Sequence, residues 1–207
     1  MTPLRLGILA SHTGSTLQSV IDGCSSRVIN AQVSLVISNN STSLALKRAE
    51  QAGIATAHLS SATHPNPEDL DKAILAALLR EKTDMVLLCG YMKKLGQPTL
   101  EHFRGRLLNT HPSLLPKYGG QGFYGRKVHE AVIASGDTES GVTLHQVTGE
   151  YDAGSIVMQH KVQVYPTDSA HDLEERVKRA EKTLLVNALA ELADQHLSAC
   201  TNQRFRG

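Results

Sequence analysis

The segment Asn109-Thr110-His111-Pro112 sets a carboxamide and an imidazole two positions apart. In extended backbone such residues face the same side. Pro112 biases His111 toward extended geometry and removes one backbone donor. Pointing together, the two side chains can hydrogen-bond the oxyanion formed when an amine attacks a carbonyl carbon, and imidazole can move a proton near neutral pH. Spacing alone leaves a second reading equally open, in which Asn109 and His111 satisfy loop backbone groups.

Two further places carry suitable side chains. Asp152, within Gly149-Glu150-Tyr151-Asp152-Ala153-Gly154, is either an Asx-turn residue or a carboxylate that orients an imidazole and favours its charged form. Thr143 and His145 share one face of the strand before it, and a strand histidine with a fixed partner is the plainer reading of His145. The stretch Ser11-His12-Thr13-Gly14-Ser15-Thr16 lies between an apolar strand and a helix. Helix N-terminal amides with hydroxyls nearby suit one phosphate group, while a hydroxyl-rich helix cap explains the same residues. The stretch has neither GxGxxG nor GxxxxGK[ST], so a dinucleotide or triphosphate is disfavoured. No HExxH, clustered Cys/His set or GxSxG elbow occurs, so no metal is expected and covalent serine chemistry has no support.

The elements that must position these groups alternate between strand and helix. Leu4–Ala10, Val33–Ile37, Ala55–Leu59 and the apolar run Asp84–Cys89 read as strands. Helices are expected from Gly14-Ser15, from a cap at Ser41 through Ala52, and from Glu68 to about Glu81, with a loop over Ser60–Pro67. That rhythm predicts an α/β fold: a Rossmann-like open twisted sheet, mostly parallel, with helices on both faces and ligands beyond the carboxyl ends of the strands. After a strand at Gly105–Asn109 and the loop Gly119–Gly125, a helix is expected from Arg126 to Ser135. Gly141–Val147 and Ser155–Val164 read as an antiparallel hairpin, and Ser169 to about His196 as a long helix. One domain over 1–207 is expected: a phosphate-binding half over about 1–105, a catalytic half over about 106–195, and a polar tail over 196–207.

Composition narrows the class. The chain has 207 residues, with 21 Lys plus Arg against 20 Asp plus Glu and no Trp, which argues against a nucleic-acid partner. Cys24, Cys89 and Cys200 are widely spaced, fitting thiols in a reducing compartment. No apolar stretch approaches the roughly 20 residues that span a bilayer, so a cytoplasmic protein is expected.

Leu107-Leu108-Asn109-Thr110-His111-Pro112-Ser113-Leu114-Leu115-Pro116-Lys117, with Tyr151-Asp152-Ala153-Gly154, resembles the folate-dependent formyltransferases, and among them the phosphoribosylglycinamide formyltransferases. The resemblance runs from the first strand to about Ala190. It implies transfer of the formyl group of 10-formyltetrahydrofolate, the co-substrate, to the amine of glycinamide ribonucleotide in de novo purine (IMP) synthesis. By resemblance Asn109, His111 and Asp152 are the catalytic trio, with Thr143 and His145 in support. Gly14, Ser15, Thr16, Lys178 and Glu181 correspond to the phosphate and ribonucleotide site, and Met92, Lys93 and Leu95 to the folate-flanking segment, where Asn109 and Asp152 also contribute. The implied partners are small molecules, without nucleic acid or membrane, in a monomer or homodimer.

The chain departs from that pattern in its first loop. The family's usual Ser-Gly-x-Gly-Ser-Asn here has His12 for the first glycine and Thr16 for the asparagine, keeping Gly14 and Ser15. Competing readings are a related formyltransferase, a formyltetrahydrofolate hydrolase, or a non-catalytic phosphometabolite-binding paralogue. The methionyl-tRNA and hydrolase relatives normally carry an extra domain for which this length leaves no room. A binding module would have no need of Asn109, His111 and Asp152 together.

Overall fold

The computed structural model describes residues 3–204, with side-chain surroundings for residues 3–198. Residues 205–207 of the expected tail and the Cys200 thiol lie outside that description. Two compact units emerge, one made of the residues up to Leu107 together with those from Val186 on, the other of Leu108–Leu185.

In the first unit β1 (Leu4–Leu9) pairs in parallel with β2 (Ala31–Ser38) and β4 (Met85–Leu88), and β2 with β3 (Ala55–His58). Leu6, Ile8, Leu9, Leu35, Val36, Ile37, Val86 and Leu87 are sealed from solvent. Such near-continuous apolar runs are what a parallel sheet covered on both faces requires. The covering helices are α1 (Ser15–Ser25), α2 (Leu44–Gln51), α3 (Pro67–Arg80) and the short α4 (Gln97–His102).

The helix starts differ from the sequence expectation for identifiable reasons. The cap of α2 is Ser43, not Ser41: its hydroxyl accepts from the Leu46 amide, because Asn40 first folds the loop by accepting from the Thr42 amide at 3.1 Å. Pro67 opens α3 instead of closing the loop, since Asn66 caps the helix through the Glu68 amide at 2.8 Å and proline fits the first helical position. The sequence reading did not include α4. Its start is capped from a distance by buried Asp71, which accepts from the amides of Gly96 at 2.7 Å and Thr99 at 3.0 Å.

The second unit holds β5 (Leu107–His111), apart from its first residue, with α5 (Arg126–Ser135), β6 (Glu139–Gln146) and β7 (Ile156–Gln163). β5 and β7 each run antiparallel to β6. The whole strand order is β3-β2-β1-β4-β5-β6-β7, an α/β sheet that is parallel in its first four strands and antiparallel at its C-terminal end. The last helix, α6 (Ala170–Arg204), runs past the expected end at His196. It starts on a reciprocal cap: the Asp172 amide donates to the Ser169 hydroxyl and the Ser169 amide to the Asp172 carboxylate. Among the described residues no helix is long and apolar enough to cross a membrane.

Candidate active site

The antiparallel ladder of β5 and β6 sets Asn109 opposite His145 and His111 opposite Thr143. Residues two apart share a face, so all four side chains gather on one side of the sheet. β5 extends to His111, two residues beyond the expected strand end, so both chemistry-bearing residues sit on a hydrogen-bonded strand. His111 and His145 are 4% and 2% exposed, and Asn109 is half-buried.

Asp152 reaches this face from the β6–β7 connection. Its backbone is left-handed, with φ of 54°, a conformation Asp tolerates better than most residues. The connection closes tightly: the Gln146 amide donates to the Ser155 carbonyl at 2.9 Å, and a Cβ on Gly154 would lie 1.8 Å from the Gln146 carbonyl oxygen. Only glycine fits there. The result puts Asp152 Oδ2 3.3 Å from His111 Nδ1 and Oδ1 3.5 Å from His145 Nε2. Gly120 donates its amide to Oδ2 at 2.9 Å.

The partners constrain where protons sit. His111 Nε2 lies 2.7 Å from the Tyr118 carbonyl, which can only accept, so Nε2 carries hydrogen. Its Nδ1 faces the Asp152 carboxylate at 3.3 Å. His145 is the opposite case. Its Nδ1 donates to the Gln146 carbonyl at 2.9 Å, and Nε2 accepts from Asn109 Nδ2 at 3.1 Å. Burial lowers its pKa, outweighing the Gln146 carbonyl and Asp152, which act the other way, while His111 adds to the lowering. A neutral His145 thus orients the Asn109 amide and leaves its second N–H free to donate. This is the fixed partner expected for a strand histidine, extended into the cluster.

Thr143 builds the loop instead of facing chemistry. Its hydroxyl donates to the Ser113 carbonyl at 2.7 Å and accepts from the Leu115 amide and from Gln159 Nε2. The sequence reading passed over His129 on α5. It is 2% exposed, its Nδ1 has no hydrogen-bond partner, and burial pushes its pKa down to about 4, with Lys178, His111 and Arg126 adding to the lowering and Glu174 opposing it. The only signal was its place on the apolar face with Val128 and Val132.

The other expected site residues fall in separate groups. On α6, Lys178 pairs with Glu174 and Glu175, both at 2.9 Å, and Glu181 accepts from the Thr110 hydroxyl. Arg126 pairs with Glu174 at 3.1 Å. In the first unit Gly14 is the left-handed N-cap of α1, with no side chain capping the helix, and Ser15 opens it. A Cβ on Gly14 would lie 2.9 Å from Ala45. Met92 and Lys93 are exposed and Leu95 is buried. The Met92 amide donates to the Ser11 hydroxyl at 2.8 Å, which itself donates to Asn39 at 2.6 Å.

A buried carboxylate–imidazole pair beside an aligned carboxamide is an arrangement for acyl transfer. Comparison with known sequences agrees, since residues 4–189 match the formyl transferase family. The chain belongs to that family. This formyl transferase is 36% identical over 199 residues to the phosphoribosylglycinamide formyltransferase of Escherichia coli (strain K12), covering 96% of this chain and 92% of the relative. It is 40% identical over 177 residues to that of Haemophilus influenzae, covering 86% and 81%. Among solved structures, a glycinamide ribonucleotide transformylase 1 from Symbiobacterium toebii superposes with a TM-score of 0.87 at 33% identity, covering 93% of this formyl transferase and 89% of that chain.

Proposed function

We propose that this formyl transferase moves the formyl group of 10-formyltetrahydrofolate to the primary amine of glycinamide ribonucleotide, in de novo purine synthesis. The observation that carries the reading is the convergence of Asn109, His111 and Asp152 on one face, with the Asn109 amide oriented by a neutral His145. The donor set fits a formyl carbon under attack by an amine. A new C–N bond forms as the amine adds, and negative charge develops on the formyl oxygen. Asn109 Nδ2 donates its free N–H to that oxygen. His111, held between the Tyr118 carbonyl and the Asp152 carboxylate, lies beside it. The amine then loses a proton to the His111–Asp152 pair, directly or through water, and the pair returns it to the folate nitrogen as the old C–N bond breaks.

For binding we assign Gly14, Ser15 and Thr16, with Lys178 and Glu181, to the phosphoribosyl part of the substrate. The uncapped N-terminus of α1 supports this, because its amides and dipole favour an anion. Lys178 would exchange one carboxylate partner for phosphate. Met92, Lys93 and Leu95, with Asn109 and Asp152, are assigned to the folate. We place the enzyme in the cytoplasm as a monomer or homodimer, a setting that suits thiols outside any disulfide, as Cys24 and Cys89 are.

Mixing the protein with 10-formyltetrahydrofolate and glycinamide ribonucleotide, and following tetrahydrofolate release, tests the reading. Amine-dependent release is expected. Release without the amine would mean a hydrolase, and none at all a binding module. His111→Ala should abolish most turnover while sparing ribonucleotide binding, and wild-type turnover in that variant would remove His111 from the mechanism.

A further inference from the structure

The His111 ring is held by a carbonyl as well as by a carboxylate, and that carbonyl has an unusual setting. Tyr118 sits in the left-handed region with φ of 54°, where a bulky side chain persists only when its surroundings fix it. Those surroundings are explicit. The Tyr118 phenol donates to Asp137 Oδ2 at 2.9 Å and lies 2.6 Å from Ser135 Oγ, at the end of α5. Lys117 Nζ meets the same Asp137 carboxylate at 3.0 Å. The Ser113 hydroxyl donates to the Lys117 carbonyl at 2.6 Å, and the Lys117 amide to the Leu114 carbonyl at 3.1 Å. The Tyr118 side chain and the Lys117 backbone before the Tyr118 carbonyl are thereby tied down.

We infer that Tyr118 and Asp137 are positioning residues for His111: Asp137 anchors the Tyr118 side chain so that its carbonyl accepts from His111 Nε2 and turns Nδ1 toward Asp152. Neither residue takes part in bond making. The carbonyl fixes which ring nitrogen carries the permanent hydrogen, and so which one exchanges a proton with Asp152. His129 on α5 and His145 on β6, which share electrostatic contact with the ring, are held neutral by burial and do not compete for that proton. The inference rests on the role proposed for His111, and its test is chosen to separate the two.

Tyr118→Phe keeps the ring and deletes only the anchoring hydroxyl. Asp137→Asn keeps an acceptor for that hydroxyl and loses the ion pair with Lys117. The 15N shifts and Nε2–H exchange of His111, read by NMR in the ligand-free protein, report the ring directly. In Tyr118→Phe the Nε2–H should exchange faster, kcat should fall about 10- to 100-fold for a misplaced catalytic group, and KM for both substrates should hold within about twofold. The kcat–pH profile should shift with it, and Asp137→Asn should lie between wild type and Tyr118→Phe on each measure. A lower melting temperature with unchanged His111 resonances and an unchanged pH profile would overturn the inference, leaving the anchor a purely structural device. Wild-type turnover in His111→Ala would instead defeat the proposed function, whatever the resonances of Tyr118→Phe show.

Discussion

Removing the imidazole of His129, by His129→Leu, should uncouple part of the protein's stability from pH. The ring is buried at 2% exposure with an orphan Nδ1, and its pKa falls from 6.5 to about 4. As pH drops below about 6.5, the unfolded chain takes up a proton at this position and the folded chain does not. The unfolded state then binds more protons, so stability decreases toward acid and the loss is complete only near the folded value. At about 1.36 kcal/mol per pKa unit, the displacement is worth about 3 kcal/mol in total, and about 2 kcal/mol of it is reached by about pH 5. His145 is lowered in the same direction, but it stays in both proteins and cancels in the comparison. Urea unfolding of wild type and His129→Leu at about pH 7.5 and about pH 5 gives four free energies. Between them, wild type should lose about 2 kcal/mol more than the variant. Parallel losses would refute the reasoning and mean that His129 is protonated in the folded state, or relieved of its burial by local opening.

Asp152→Asn should cut kcat by about 100-fold or more, the usual worth of general acid–base catalysis, and flatten its pH dependence, as steady-state kinetics across pH will show. Gly154→Ala must move a Cβ away from the Gln146 carbonyl. It should cost at least about 1–3 kcal/mol in denaturant unfolding and lower turnover, because Asp152 hangs from the same connection. Thr143→Val strands the Leu115 amide and the Ser113 carbonyl and should cost about 1–3 kcal/mol by thermal melting. Asp71→Ala leaves the amides of Gly96 and Thr99 without their acceptor, so hydrogen exchange at residues 96–100 should accelerate while β1 and β2 stay protected.

Much of the architecture was legible because periodicity reports burial. The near-continuous apolar runs of β1, β2 and β4 mark a covered parallel sheet, and the span of α5, Arg126–Ser135, emerges as read. Features set by distant partners were not legible. The start of α4 depends on Asp71, remote in sequence, and the local signal of Pro98 in its first turn does not by itself reveal that cap. The cap of α2 moved because Asn40 competes for the preceding amide, a choice made by loop geometry. In the candidate site, the shared face of Asn109 and His111 follows from strand spacing. The approach of Asp152 does not, because it requires both a left-handed backbone at Asp152 and the close contact at Gly154. His129 and Tyr118 went unnoticed for a related reason. One acts through having no partner and the other through its backbone carbonyl, and neither property is written in a side-chain motif.

The pairing of Asn109 with His145 and of His111 with Thr143 bears on how such a site can change over time. Because side chains alternate faces along a strand, a slip of one residue between β5 and β6 would turn both groups of the shifted strand away from the other two together. No single substitution could restore them. An insertion or deletion inside Leu107–His111 or Glu139–Gln146 should therefore be lethal to activity even where the sheet still forms, whereas point changes beside the four groups can be sampled one at a time. The chemistry of this chain is inherited as an alignment of two strands, and its lineage is free to vary residues far more readily than lengths.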